Sequence, residues 1–245
     1  MKLRTLLILF LIFEVSNLHS QPVDTIPTKK GNLLIHFLGH GTLMFEYGGH
    51  IIHIDPYSKV ADYSKLPKAD LILITHHHGD HLDSMALANC YKLGTSIYWT
   101  QECKKNSKYK SAIAKILANG DRIIWKGILI ETVPAYNIVN KRPNGTPFHP
   151  MGEGNGYILT LGGKKVYIAG DTENIPEMLR FRPMDIAFLP MNLPYTMTPE
   201  MVKDAALMIN PTILYPYHFG KTDTSLIVNL LKDTPSIDVR IREME

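Results

Sequence analysis

Cysteine is nearly absent, with two in 245 residues, Cys90 and Cys103. Two cysteines specify no disulfide framework. They flank a strand predicted over Ser96 to Trp99; a disulfide between them is permitted in an oxidising compartment, and two buried free thiols are the alternative. An excess of charge is also missing, the formal net charge being +3, which argues against a basic groove for nucleic acid. Long apolar runs are missing too. The one candidate, Leu6 to Phe13, follows Lys2 and Arg4 and gives way to polar residues ending in Ser20 before Gln21.

That layout predicts a secretory signal peptide over residues 1–20. Its apolar core falls short of the roughly 20 residues that a membrane span needs, although Glu14 and the bulky Leu18 make an imperfect cleavage site. The expectation is a secreted or periplasmic protein, cut near Ser20, with no integral membrane span in the mature chain. The rest suffices for one sizeable domain, and no internal repeat, low-complexity tract or linker divides it. Residues 21–31, with two prolines and two lysines, read as a flexible lead-in to a domain over 32–245.

Histidine, by contrast, is concentrated. Thr75 to His81, "THHHGDH", holds four histidines and an aspartate in seven residues. Neutral imidazole offers a lone pair near pH 7, and a carboxylate beside it adds the negative charge that a divalent ion favours. Leu71 to Ile74 before it is a short apolar run, read as a buried strand. Leu82 to Ala88 after it reads as the start of a helix. The cluster therefore occupies a strand-to-helix loop, a usual place for ligand sites. Alternation sends His76 and His78 to one side and His77 to the other.

The stretch resembles the H-x-H-x-D-H signature of the metallo-β-lactamase superfamily, a group of mostly dinuclear metal hydrolases. The resemblance implies an α/β fold, the αβ/βα four-layer sandwich of the metallo-β-lactamase type, with metals at one edge of two face-to-face mixed sheets. It implies that His76 and His78 bind a first metal and Asp80 and His81 a second. Downstream, "YIAGDT" is an apolar strand ending in Asp171, similar to the superfamily's bridging aspartate, and "ILYPYHFG" runs from a strand into His218, placed like its last histidine on the second metal. The turn "LGH" at His40 and the strand end "IDP" at Asp55 resemble the branch that contains ascorbate-6-phosphate lactonase. His40 is accordingly a pocket residue, and Asp55 a carboxylate that accepts a ligand imidazole's N–H and fixes its tautomer.

The third histidine of the first metal is displaced. Relatives place it in a "P-A-x-H" context, and here Pro134-Ala135-Tyr136 is followed by Asn137, whose neutral amide oxygen is a poor transition-metal ligand. The predicted strands Ile128 to Val133 and Gly156 to Leu161 would pair as neighbours, and the loop between them carries "PFHP". That loop's base closes near Asn137, so His149 is the expected ligand.

The resemblance implies two divalent ions, zinc expected with manganese or nickel as alternatives, and hydrolysis of a small ester, lactone or phosphodiester by a metal-activated hydroxide. Asp80 would orient that hydroxide or carry a proton to the leaving group. Tyr136 and Tyr195 are candidate oxyanion donors, and Lys221 a candidate partner for an anionic part of a small-molecule substrate. Two rivals remain open: a mononuclear iron oxygenase, disfavoured by Asp80, His81 and His218 all being present, and a metal-dependent binding protein without turnover.

Overall fold

The computed structural model describes residues 23–109 and 113–244; the expected signal peptide lies outside the described residues. Seven strands form the first sheet in sequence order: β1 (Val23–Thr28), β2 (Gly31–Gly39), β3 (Thr42–Tyr47), β4 (His50–Ile54), β5 (Leu71–Leu73), β6 (Ser96–Trp99) and β7 (Lys115–Ile116). Seven form the second: β8 (Arg122–Trp125), β9 (Ile128–Ala135), β10 (Gly154–Leu161), β11 (Lys164–Ile168), β12 (Met184–Pro190), β13 (Pro211–Tyr217) and β14 (Asp238–Val239). Each sheet begins as an antiparallel meander, β1 to β4 and β8 to β11, and continues with parallel strands. Both sheets are therefore mixed, as the resemblance implied.

Alternation explains the layers. Leu33, Ile35 and Phe37 of β2 and Leu71 and Leu73 of β5 join the core between the sheets, where Phe37 and Phe45 meet Phe188 of the opposite sheet. Ile72, on the other face of β5, and Ile74 just after the strand pack with Ala86, Leu87 and Cys90 of α1 (Ser84–Cys90) and Cys103 of α2 (Gln101–Asn106). Such a strand is buried on both faces and reads as an unbroken apolar run. On the second sheet's outer face, α3 (Pro199–Ile209) buries Val202, Ala205, Ala206 and Ile209, and α4 (Ser225–Leu231) packs beside it. Among the described residues, no helix is long and apolar enough to cross a membrane.

Two local expectations shift and one open alternative resolves. The helix after the histidine loop starts at Ser84 rather than Leu82, because the Asp83 side chain accepts the Met85 and Ala86 N–H groups and caps it. Cys90 and Cys103 are buried free thiols, not a disulfide, and burial pushes both up to about 12. The flexible lead-in is corrected over Val23–Thr28, which form β1 and pair with β2 throughout. Arg242 clamps β1 to the chain's end: its Nε and Nη2 donate to the two oxygens of Asp24 at 2.9 and 2.6 Å, and the Tyr215 hydroxyl donates to the same carboxylate.

Candidate metal centre

Strand ends build the site. β4 delivers Asp55, β5 the loop from Thr75 to His81, β11 Asp171 and β13 His218, so the parallel strands converge with their C-terminal ends on one edge, where α/β sheets place ligands. The β2–β3 turn adds His40 and the β9–β10 loop adds His149. Three of these residues, His40, Asp55 and His218, take left-handed φ values of 52°, 45° and 45°, a conformation that costs a side-chain-bearing residue about 1–2 kcal/mol. Neighbours hold them there: His218 N–H donates to His40 O at 3.0 Å, and His40 N–H donates to Met244 O.

His76, His78 and His149 form one donor group. The Asn137 side-chain oxygen can only accept, so the 2.7 Å contact from His149 Nδ1 makes that nitrogen the protonated one and leaves the Nε2 lone pair free. Thr75 works similarly on His76. Its hydroxyl donates to Asp55 Oδ2 at 2.6 Å, so its oxygen accepts Nδ1–H of His76 at 3.0 Å. The freed Nε2 atoms of His76 and His149 then lie 3.1 and 3.2 Å from His78 Nδ1. Nitrogens about 2.0–2.1 Å from one tetrahedral metal ion are about 3.3 Å apart, so these two separations suit nitrogens that share an ion. The histidine expected from the loop and the one expected from "PFHP" are thus brought together. Asn137 faces the histidine and not the donor group, and its Nδ2 is spent on Glu173 and on Tyr195 O.

His81, His218, Asp80 and His40 form a second group. Asp55 Oδ2 accepts Nδ1–H of His81 at 2.8 Å, the role expected of it, and His81 Nε2 meets His218 Nε2 at 3.2 Å. Gly41 is required here, since a Cβ would lie 2.9 Å from His218 Cδ2 and 3.0 Å from His81 Cε1. Asp171 stands between the groups. Its Oδ2 lies 3.3 Å from His149 Nε2 and 3.9 Å from His76 Nε2, while its Oδ1 lies 3.5 Å from His81 Nε2 and 3.6 Å from His218 Nε2.

Charge and burial point the same way. Burial holds His76 well below its ordinary value and pushes His78 down to about 4, so both offer lone pairs at neutral pH. His81 is pushed up to about 10: burial opposes this, but Asp171, Asp55 and Asp80 surround the ring and favour positive charge on it. Asp171 and Asp80 are held well below the carboxylate range against the effect of burial, by His218 and His81 for the first and His218 and His40 for the second. Asp171 Oδ1 is buried without a hydrogen-bond partner, which an uncompensated carboxylate cannot sustain cheaply. The lone pairs of His76, His78 and His149, the orphaned oxygen of Asp171 and the three carboxylates that favour positive charge at His81 fit divalent cations.

The groups floor a cleft of about 400 Å³ lined by His40, His78, Asp80, His149, Asp171 and His218, with Arg142, Phe148, Asn192 and Tyr195 on its walls. Tyr195 therefore reaches the cleft, as does His40, whose Nε2 lies 2.9 Å from Asp80 Oδ2. Two expectations are corrected. Tyr136 is buried with its hydroxyl donating to Glu177, so it has no oxyanion to reach. Lys221 is exposed and is not among the residues that line the cleft. His77 belongs to neither donor group, as alternation implied.

Sequence reasoning missed Arg142, Phe148 and Glu173. Glu173 is fully buried, and its carboxylate accepts the N–H groups of Ile138, Val139 and Asn140 at 2.7 Å each, besides Asn137 Nδ2 at 3.2 Å. Only its place beside the "GDT" strand end hinted at a role.

Comparison with known proteins agrees with this geometry. Residues 34–218 match the β-lactamase superfamily domain. The chain is 31% identical over 194 residues to a UPF0173 metal-dependent hydrolase of Pelotomaculum thermopropionicum, across 75% of this chain and 83% of that one. Among solved structures, a protein described as a metal-dependent hydrolase from Parabacteroides distasonis is 48% identical with a TM-score of 0.86, covering 92% of this chain and 100% of the other. The metallo hydrolase Igni18 from Ignicoccus hospitalis is 25% identical, with a TM-score of 0.71 over 86% and 95% of the two chains.

Proposed function

Since the chain belongs to the β-lactamase superfamily and, within it, to the UPF0173 metal-dependent hydrolases, we propose that it hydrolyses a small ester, lactone or phosphodiester with two divalent ions, zinc before manganese or nickel. The observation that carries the two-ion reading is Asp171, which presents one oxygen to the His76, His78 and His149 group and the other to His81 and His218. The first ion would be held by His76, His78 and His149, the second by Asp80, His81 and His218, with Asp171 shared. Bound divalent ions supply Lewis acidity and bring the pKa of water towards neutrality.

The chain's own groups do the rest. Asp55 and Thr75 fix the tautomers of His81 and His76, and Asn137 fixes that of His149. This keeps the donor nitrogens aimed without reorganisation. Asp80, on the cleft floor, accepts a hydrogen bond from His40 through Oδ2, and is placed to accept a proton from the attacking water and deliver it to the leaving oxygen. Tyr195, on the cleft wall, is the hydroxyl available to a developing oxyanion.

The experiment is elemental analysis of the purified protein followed by a screen of esters, lactones and phosphodiesters with and without chelator. About two divalent ions per chain and chelator-sensitive turnover are expected. A single bound iron, or metal-replete protein inert on all three classes, counts against the reading.

A further inference from the structure

The cleft's walls differ from its floor. The floor consists of the histidines and aspartates that face each other; of the four other lining residues, Phe148 and Tyr195 are aromatic, Asn192 is neutral, and Arg142 is the one lysine or arginine among the described lining residues. Arg142 forms no salt bridge with a carboxylate among the described residues, yet it is not loose. Its Nη2 donates to Phe148 O at 3.3 Å and its guanidinium lies 5.0 Å from the Phe148 ring centroid. Phe148 in turn meets Tyr195 edge-on at 5.1 Å.

The backbone is also set. Arg142 N–H donates to Thr146 O at 2.7 Å, Gly145 N–H returns to Arg142 O at 2.8 Å, and Lys141 bridges to Pro147. This turn sits on the same loop as His149, so the backbone at Arg142 has a set place relative to the first donor group, and the exposed side chain leans on Phe148. A guanidinium has five N–H donors in a rigid fork, and here one is used within the protein. The rest have no hydrogen-bond partner among the described residues, and Arg142 lines a cleft of a size suited to a small molecule. Nothing in the floor needs a second cation at the wall.

We propose that Arg142 is the specificity residue of this cleft and that the substrate carries a terminal anionic oxygen group, a carboxylate or a phosphate, separated from the bond to be cleaved by a short segment lying against Phe148 and Tyr195. The inference rests on the hydrolase reading of the same cleft. It moves to Arg142 the anion-binding role that the sequence suggested for Lys221.

Binding and turnover test it separately. Titration calorimetry of the zinc-loaded protein with glycerol 3-phosphate and with succinate reads the anion site without any reaction, and the tighter probe tells phosphate from carboxylate. Arg142→Ala is expected to weaken the preferred probe about 10- to 100-fold, the value of a charge-assisted, bidentate contact, with metal content retained. Arg142→Lys should fall between, and Arg142→Gln serves if truncation disturbs the loop. In turnover, the kcat/KM ratio of mono-p-nitrophenyl succinate over neutral p-nitrophenyl butyrate should drop at least tenfold in Arg142→Ala. Butyrate hydrolysis with no preference for the succinate ester, and probe binding unchanged in the variants, would overturn the inference and leave the hydrolase reading intact. Arg142-dependent binding with neither ester turned over would uphold the inference and count against the hydrolase reading.

Discussion

Replacing Glu173 with glutamine should damage the metal centre from two residues away in the contact chain. The carboxylate is fully buried, with Oε2 accepting from Ile138 and Val139 and Oε1 from Asn140 and Asn137. Glutamine keeps the shape but turns one oxygen into an NH2 group. Whichever oxygen it replaces, two N–H donors then face another donor. A fully buried donor left unsatisfied costs about 1–3 kcal/mol, and because three of these four bonds are only partly buried the loss is roughly 1–4 kcal/mol. Relief comes most easily by letting the 137–140 segment move, and Asn137 moves with it. His149 then loses the fixed acceptor for Nδ1–H and for its backbone N–H. A metal ligand that loses such a partner weakens its ion about 10- to 100-fold. Urea unfolding of the wild type and Glu173→Gln gives the first quantity, and zinc titration against a competing chelator on folded protein gives the second. Stability within about 1 kcal/mol of wild type together with unchanged zinc affinity would refute the reasoning.

Other perturbations separate the roles further. His149→Ala should cost the first ion at least tenfold in affinity, while Asn137→Ala should weaken it without removing it from zinc-saturated protein; the reverse ranking, read by zinc titration, would make the amide the ligand. Gly41→Ala should lower occupancy of the second ion before the first, because its Cβ would press on His81 and His218; equal loss of both ions in elemental analysis would contradict this. Chelation should lower the melting temperature, since ions at 100 times their Kd contribute about 2.7 kcal/mol, and a melting curve unmoved by chelator would speak against a built site. Asp24 is held below its ordinary 3.8: partial burial opposes this, but Tyr215 and Arg242 prevail. Its folded value being lower than its unfolded one, it stabilises above pH 3.8 and that contribution fades as pH falls through the folded value. The difference in urea stability between wild type and Asp24→Asn should therefore be level from pH 5 to 7 and shrink below about 4; a difference that grows on acidification would reverse the assignment.

Much of this centre was legible because its parts are local. Four of its donor side chains lie in one loop of seven residues, and Asp171 and His218 each follow an apolar strand directly. His149 was reachable through pairing alone: β9 and β10 are antiparallel with Val133 opposite Gly156, so the ends of their loop must meet, and Asn137 N–H does donate to His149 O at 2.9 Å. Arg142 and Glu173 were not reachable this way. Their roles depend on how the 137–149 loop folds back over the cleft and on where its N–H groups point, and neither leaves a periodic signal. The lead-in was misread for a related reason. Prolines and lysines mark flexible segments, but they also mark edge strands protected against further pairing, and β1, with Pro27 opposite Asn32, is one. The left-handed backbone at His40, Asp55 and His218 carries no sequence mark at all, because glycine, the residue that would advertise it, is absent from those positions.

The central claim, two ions shared by one aspartate with His149 completing the first, is tested most directly by a crystal structure of zinc-loaded protein. The expected result is His149 Nε2 about 2.0–2.1 Å from one ion, with the two oxygens of Asp171 divided between that ion and a second held by Asp80, His81 and His218. Asn137 in the coordination sphere with His149 outside it, or a single ion with Asp171 bound through one oxygen only, would contradict it.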